Sequence, residues 1–128
     1  MIYLRSIQSY LKLLRIHQWI KNGFIFAPLI FSSKFLDFDS IKRASFAFFI
    51  FCLASSSVYI VNDLKDIDKD RVHPVKKLKR PLASGDIAPL NAKIFLIVLY
   101  FFLFIFLLKY PVPKFSLLVL AYIILNFL

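Results

Sequence analysis

A chain of 128 residues that is 60% hydrophobic, with 16 Phe and only two Gly, is not a soluble globular domain, where apolar usage stays nearer half. Its 17 Lys and Arg against 7 acids give a net charge of +10. The bases flank apolar runs, so membrane topology accounts for many of them and nucleic acid is not an expected partner.

In chain order, Leu4, Ile7, Leu11 and Leu14 recur at helical spacing between Arg5, Gln8, Ser9, Lys12 and Arg15, which predicts a helix over 1–18 lying in the membrane interface. A first span is expected at 19–36, kinked at Pro28, and a second at 44–61, of about the length that crosses roughly 30 Å of hydrocarbon. A charged loop occupies 62–91, and a third span follows at 92–108, ended by Pro111 and Pro113 because neither can continue a helix. A fourth apolar run at 115–128 stops short of the roughly 20 residues a span needs, so the chain is expected to be the amino-terminal part of a longer protein and inactive by itself. The predicted fold class is an all-α integral membrane protein, a multi-span helix bundle with about four spans here. Cys52, the single cysteine, lies inside an apolar run and excludes both an intramolecular disulfide and a thiolate metal cluster. Arg5, Lys12 and Arg15 interrupt the amino terminus before any signal-peptide core can form.

Basic residues are unevenly divided. Arg5, Lys12, Arg15 and Lys21 precede the first span, and Lys65, Lys69, Arg71, Lys76, Lys77, Lys79, Arg80 and Lys93 lie in or beside the long loop, against Lys34, Lys42, Arg43, Lys109 and Lys114 on the other side. The positive-inside rule puts the amino terminus and the loop in the cytoplasm, with the cell membrane as the expected location.

The loop itself carries the chemistry. Residues 62–85, NDLKDIDKDRVHPVKKLKRPLASG, hold four acids and seven bases. On a continuing helix, at about 100° per residue, Asp63, Asp66 and Asp70 fall within an arc of about 60°, with Asn62 beside it and Asp68 pointing away. Carboxylates gathered on one face repel one another unless a cation sits between them, and Mg²⁺, a hard ion usually held by carboxylates together with substrate phosphates, suits the position. The alternative is a solvated charged loop with Asp66 and Asp70 paired to lysines; the acid spacing at a membrane boundary favours the metal. A second polar face joins Arg15, Gln18 and Asn22, with Lys21 at its edge. It points either to a cavity or to ordinary interfacial anchoring, with Lys21 snorkelling and Trp19 in the aromatic belt. His17 and His73 lack a second His at ligand spacing, and Ser55, Ser56 and Ser57 read as helix packing rather than a nucleophile.

The pattern N-D-x-x-D-x-x-x-D at Asn62, Asp63, Asp66 and Asp70, with R-P-L-A-S-G at 80–85, resembles the first aspartate-rich motif of the UbiA prenyltransferase superfamily. H-Q-W-I-K-N at 17–22, F-A-P-L-I-F-S at 26–32 and D-R-V-H-P at 70–74 resemble its polyprenyl-phosphate phosphoribosyltransferase branch. The resemblance covers nearly the whole chain. It implies a nine-helix bundle around a lipid-accessible cavity with two Mg²⁺-binding aspartate-rich loops, of which the second and roughly the last five spans are absent here. By position, Asp63, Asp66 and Asp70 would ligate Mg²⁺ on the donor diphosphate with Asn62 assisting, Lys21 and Asn22 would touch phosphate, and Arg80 would match the basic position before Pro81. The interval from His73 to Arg80 is one residue longer than the commonest form, which leaves Lys76 and Lys77 as phosphate contacts without a fixed register.

The resemblance implies transfer of a phosphoribosyl group from phosphoribosyl diphosphate to a polyprenyl phosphate, a cell wall precursor, in contact with membrane lipid and with a homo-oligomer as one allowed assembly. One alternative keeps the architecture but moves a prenyl group from a prenyl diphosphate to an aromatic or tetrapyrrole ring. Another is a non-catalytic membrane subunit whose basic loop binds anionic lipid, which explains the lysines but not three acids on one face.

Overall fold

The computed structural model describes residues 2–33, 36–109 and 113–127, and these are helical with no strand among them. Lys34, counted in the expected topology, and residues 110–112 of the expected turn after the third span lie outside the described residues, as does the side chain of Leu4.

Helix α1, Ile2–Leu14, is amphipathic. It buries Ser9 and Leu13 against the rest of the molecule and leaves Ile7 and Leu11 exposed on another side. It ends at Arg15, whose backbone is left-handed at φ 52°, ψ 52°.

The expected first span at 19–36 is not one α-helix. Residues Ile16–Phe26 form a 3₁₀ helix, followed by a short α2 at Ala27–Phe31. A 3₁₀ helix rises about 2.0 Å per residue and an α-helix about 1.5 Å, so 11 and 5 residues placed end to end reach about 30 Å, the depth of the hydrocarbon core. The tighter winding also changes which residues share a face. At three residues per turn Trp19 and Asn22 line up, replacing the face of Arg15, Gln18 and Asn22 expected from α-helical spacing. Pro28 does not kink a helix; it sits in the first turn of α2, where its missing N–H is no loss.

α3, Phe38–Lys65, is the central element, packing against α1, the 3₁₀ helix, α2, α6 (Pro81–Ser84), α7 (Pro89–Lys109) and α8 (Pro113–Phe127). At 28 residues it is about 42 Å long, so it outreaches the hydrocarbon and carries Asn62 and Asp63 beyond the expected span of 44–61. α3 and α7, Pro89–Lys109, are long and apolar enough to cross a membrane, and α8, Pro113–Phe127, carries a shorter apolar stretch at Leu117–Asn126. Three short helices replace the expected open loop: α4 at Ile67–Arg71, α5 at Lys76–Lys79 and α6 at Pro81–Ser84.

Two apolar clusters hold these elements together. Leu13, Ile60, Leu82, Ile87, Ala92 and Leu99 pack at the end of α3 that carries the aspartates, so α1, α6 and the start of α7 form a floor beneath the charged segment. Ile50, Ala54, Leu103 and Val119 form the second cluster, where α3, α7 and α8 meet, edged by Phe46, Phe51 and Phe106. Elsewhere α7 turns outward, with Ile97, Phe101, Phe104 and Leu108 exposed.

Candidate functional site

The assumption of one continuous helix through the aspartates does not hold. α3 stops at Lys65, Asp66 leaves helical geometry at φ −99°, ψ 13°, and α4 starts afresh at Ile67. The turn nevertheless brings Asp70 back toward Asp63, and both carboxylates are buried, each about 2% exposed.

What joins them is Arg80. Its Nη1 donates to Asp63 Oδ1 at 3.0 Å and to Asp70 Oδ2 at 3.1 Å. Local chemistry aims it there: a residue before proline is pushed out of the α region, and Arg80, before Pro81, adopts φ −99°, ψ 120° and swings its side chain back over α4. α6 then closes at Gly85, whose φ of 86° glycine adopts without steric cost.

A second guanidinium reaches the same acid. Arg15 Nη2 donates to Asp63 Oδ1 at 2.5 Å across 48 residues of sequence, and its guanidinium carbon lies 4.6 Å from the centre of the Tyr59 ring. Two buried carboxylates are thus balanced by two partly buried arginines. Burying such charges is costly unless they are paired with good geometry, and the pairing supplies it.

The remaining expected residues are placed as follows. Asp66 is half-buried at the break between α3 and α4, with no side-chain hydrogen bond or ion pair among the described residues. Asn62 is exposed and contributes its backbone carbonyl to the Asp66 N–H at 3.0 Å. Asp68 is exposed. Lys76 is half-buried and Lys77 exposed, both on α5, which packs against α6. His73 shapes that helix: its Nδ1 accepts from the backbone N–H groups of Val75 at 3.2 Å and Lys76 at 3.1 Å, bridging over Pro74, which has no N–H.

Asn22 and Lys21 stand apart from this cluster. Asn22 is buried in the seam between the 3₁₀ helix and α3, donating to Ser55 Oγ at 3.2 Å and to Cys52 Sγ at 3.4 Å. Ser55 lies 8 residues before Asp63 on α3, about 12 Å along its axis. Lys21 is exposed on a different side of the 3₁₀ helix. Trp19 extends the seam, its indole N–H donating to Ser56 Oγ at 2.9 Å while that hydroxyl donates to the Leu14 carbonyl at 2.6 Å.

Arg15 is the residue that spacing missed. It was visible on a polar face, but only the left-handed turn after α1 points it at Asp63 rather than along a continuing helix. No group of three acids, histidines or cysteines is arranged for a metal ion among the described residues. The donor set still suits a hard cation, because the acid oxygens are all carboxylate and a cationic group already lies between Asp63 and Asp70.

Residues 24–128 match the model of the UbiA prenyltransferase family. The chain belongs to that family. As a UbiA family chain it is similar to the decaprenyl-phosphate phosphoribosyltransferases of Mycolicibacterium smegmatis, at 40% identity over 83 residues (62% of this chain, 26% of that protein), and of Mycobacterium tuberculosis, at 41% over 78 residues (58% and 26%). It is also similar to the uncharacterized protein y4nM of Sinorhizobium fredii, at 41% over 85 residues (66% of this chain, 16% of that protein). The chain thus spans about a sixth to a quarter of the length of these curated relatives. No solved structure matches it. Membership of this family is in keeping with the two helices long and apolar enough to cross a membrane.

Proposed function

We propose that this chain carries the diphosphate-binding site of a membrane transferase that moves a phosphoribosyl group from phosphoribosyl diphosphate to a polyprenyl phosphate, releasing diphosphate. The observation that carries the proposal is the buried pair Asp63 and Asp70 joined by Arg80 at the end of an apolar helix, with Lys76 and Lys77 on the adjoining α5. The named relatives support the choice of substrates.

Asp63, Asp66 and Asp70 would hold Mg²⁺, with Asn62 at the edge of the set. The ion, bound with the donor, would supply neutralisation of the negative charge that builds on diphosphate as the ribose C1–O bond lengthens. Arg80, Lys76 and Lys77 take the phosphate oxygens, Arg80 through its planar fork and the lysines as point charges. A half-buried site strengthens these contacts relative to water. Lys21, outside the cluster, is a candidate contact for the acceptor's phosphate, and Asn22 acts through the seam that positions the 3₁₀ helix. The loop would face the cytoplasm.

The family description favours one second reading, transfer of a prenyl group from a prenyl diphosphate to a ring acceptor. That chemistry uses the same acids, but its acceptor carries no phosphate, so Lys21 is left without one to bind and the excess of bases is less well explained.

The test is transfer of labelled phosphoribose to a short polyprenyl phosphate by protein expressed from the complete coding sequence. Activity should vanish with a chelator and return with Mg²⁺. Asp63→Ala and Asp66→Ala should each lower turnover by about 10²-fold or more, the scale for losing a group that stabilises transition-state charge, while exposed Asp68→Ala stays within a few-fold. Transfer from prenyl diphosphate to a ring acceptor, with none from the sugar donor, would select the second reading.

A further inference from the structure

We infer that Arg15 is a phosphate-binding residue of this diphosphate site, parked on Asp63 until an anionic ligand arrives. The assignment deepens the function proposed above, and Arg15 lies outside the residues 24–128 that the family model matches.

Three observations converge on Arg15. The first is its backbone: φ 52°, ψ 52° is a left-handed conformation that L-residues other than Gly, Asn and Asp rarely adopt, and helices that end this way usually place Gly or Asn there. A long cationic side chain in that position needs something to hold it. The second is what holds it, an ion pair to a buried carboxylate and a stack over the Tyr59 ring. The third is accessibility. The Arg15 side chain is 19% exposed and that of Arg80 23%, whereas Asp63 is 2% exposed, so the open side of the cluster presents guanidinium groups.

Asp63 Oδ1 accepts from both arginines. Arg80 alone already bridges the two carboxylates, so Arg15 gives Asp63 a second cationic partner on the same oxygen. The four charges of Arg15, Arg80, Asp63 and Asp70 cancel, leaving a neutral cluster. A diphosphate entering with a divalent cation offers each group a new partner of the opposite sign. The arginines pass to phosphate oxygens, for which a planar fork is well suited, and Asp63 Oδ1 is released to the cation. Each buried charge of the cluster thus keeps a partner of opposite sign through the exchange. The opposing view makes Arg15 a staple that fastens α1 to α3 and never meets ligand.

The two views separate by titrating inorganic diphosphate, with and without Mg²⁺, into protein from the complete coding sequence held in lipid nanodiscs, followed by calorimetry. Arg15→Asn tolerates the left-handed backbone and removes the cation. It should weaken diphosphate binding about tenfold or more, the scale of one hydrogen bond to a charged group. Arg15→Lys should fall between it and the parent, since a point charge replaces the fork. Arg80→Gln is the comparator for the site as a whole. If Arg80→Gln weakens binding and Arg15→Asn does not, Arg15 is a staple and the inference is overturned while the proposed function stands. If neither variant changes diphosphate affinity, both fall. Should Arg15→Asn fail to fold, Arg15→Lys decides: affinity equal to the parent's overturns the inference, and a several-fold loss supports it.

Discussion

Asp70, inside α4, and Arg80, just before α6, meet at 3.1 Å although the turn at Pro74 and the short helix α5 separate them in sequence. The contact folds α4 and α5 back over the end of α3 and makes a closed charged cap of what would otherwise be a solvated loop. Its energetic weight follows from burial: Asp70 is 3% exposed at the side chain and sits over an apolar floor that includes Leu82 and Ile87.

Arg80→Ala should therefore destabilise the cap sharply. Removing one partner of a buried pair leaves an uncompensated charge, a loss of about 3–5 kcal/mol, and the partial exposure of Arg80 moves the expectation to about 2–3 kcal/mol. Asp63 keeps Arg15 as a partner, so the loss falls mainly on Asp70. Denaturant unfolding in micelles should show Arg80→Ala restored in part by adding Asp70→Asn, because the second change removes the stranded charge. Absence of any coupling between the two would remove Arg80 as the bridge.

His73 should act as a cap and not as a ligand. His73→Ala deletes the acceptor for the Val75 and Lys76 N–H groups, at about 0.5–2 kcal/mol for the local turn, the range of a lost helix cap. Hydrogen exchange read by mass spectrometry should quicken across 75–79 and stay unchanged in α3 and α7. His73→Asn, which can accept the same bonds, should restore part of the protection.

Ser56→Ala should loosen the joint between the 3₁₀ helix and α3. It strands the Trp19 indole N–H and removes a donor from the Leu14 carbonyl, an expected cost of about 1–3 kcal/mol. Trp19→Phe alone should cost less, about 1 kcal/mol, because Ser56 keeps its bond to Leu14. Equal losses from the two would show that the indole bond, not the hydroxyl bridge, carries the joint.

Orientation can be read with impermeant thiol reagents on intact cells. In a Cys52→Ser background, Asp39→Cys at the start of α3 should label and Ser84→Cys at the end of α6 should not; both positions are exposed in the fold. The opposite pattern would put the charged cap outside the cytoplasm, away from a soluble sugar donor, and would remove the basis for the proposed substrates.

Apolar content, helical spacing and the N-D-x-x-D-x-x-x-D motif determine by themselves that this is a helical membrane-type chain with its acids gathered at the end of a long apolar run, because hydrophobic length and local residue order are written directly in the sequence. The family follows from the same residues. The inner geometry does not. Asp66 breaks α3, so the angles of an ideal helix do not describe Asp63 and Asp70, and their meeting depends on a turn and on Arg80 reaching back from before Pro81. The 3₁₀ winding of 16–26 replaces a face of Arg15, Gln18 and Asn22 with one of Trp19 and Asn22, fitted to serines on α3. Arg15 was legible as a polar residue but not as a partner of Asp63, since 48 intervening residues carry no local signal of contact. Ion pairing over such a separation is decided by which elements pack together, and only the tertiary structure brings the end of α1 beside the end of α3.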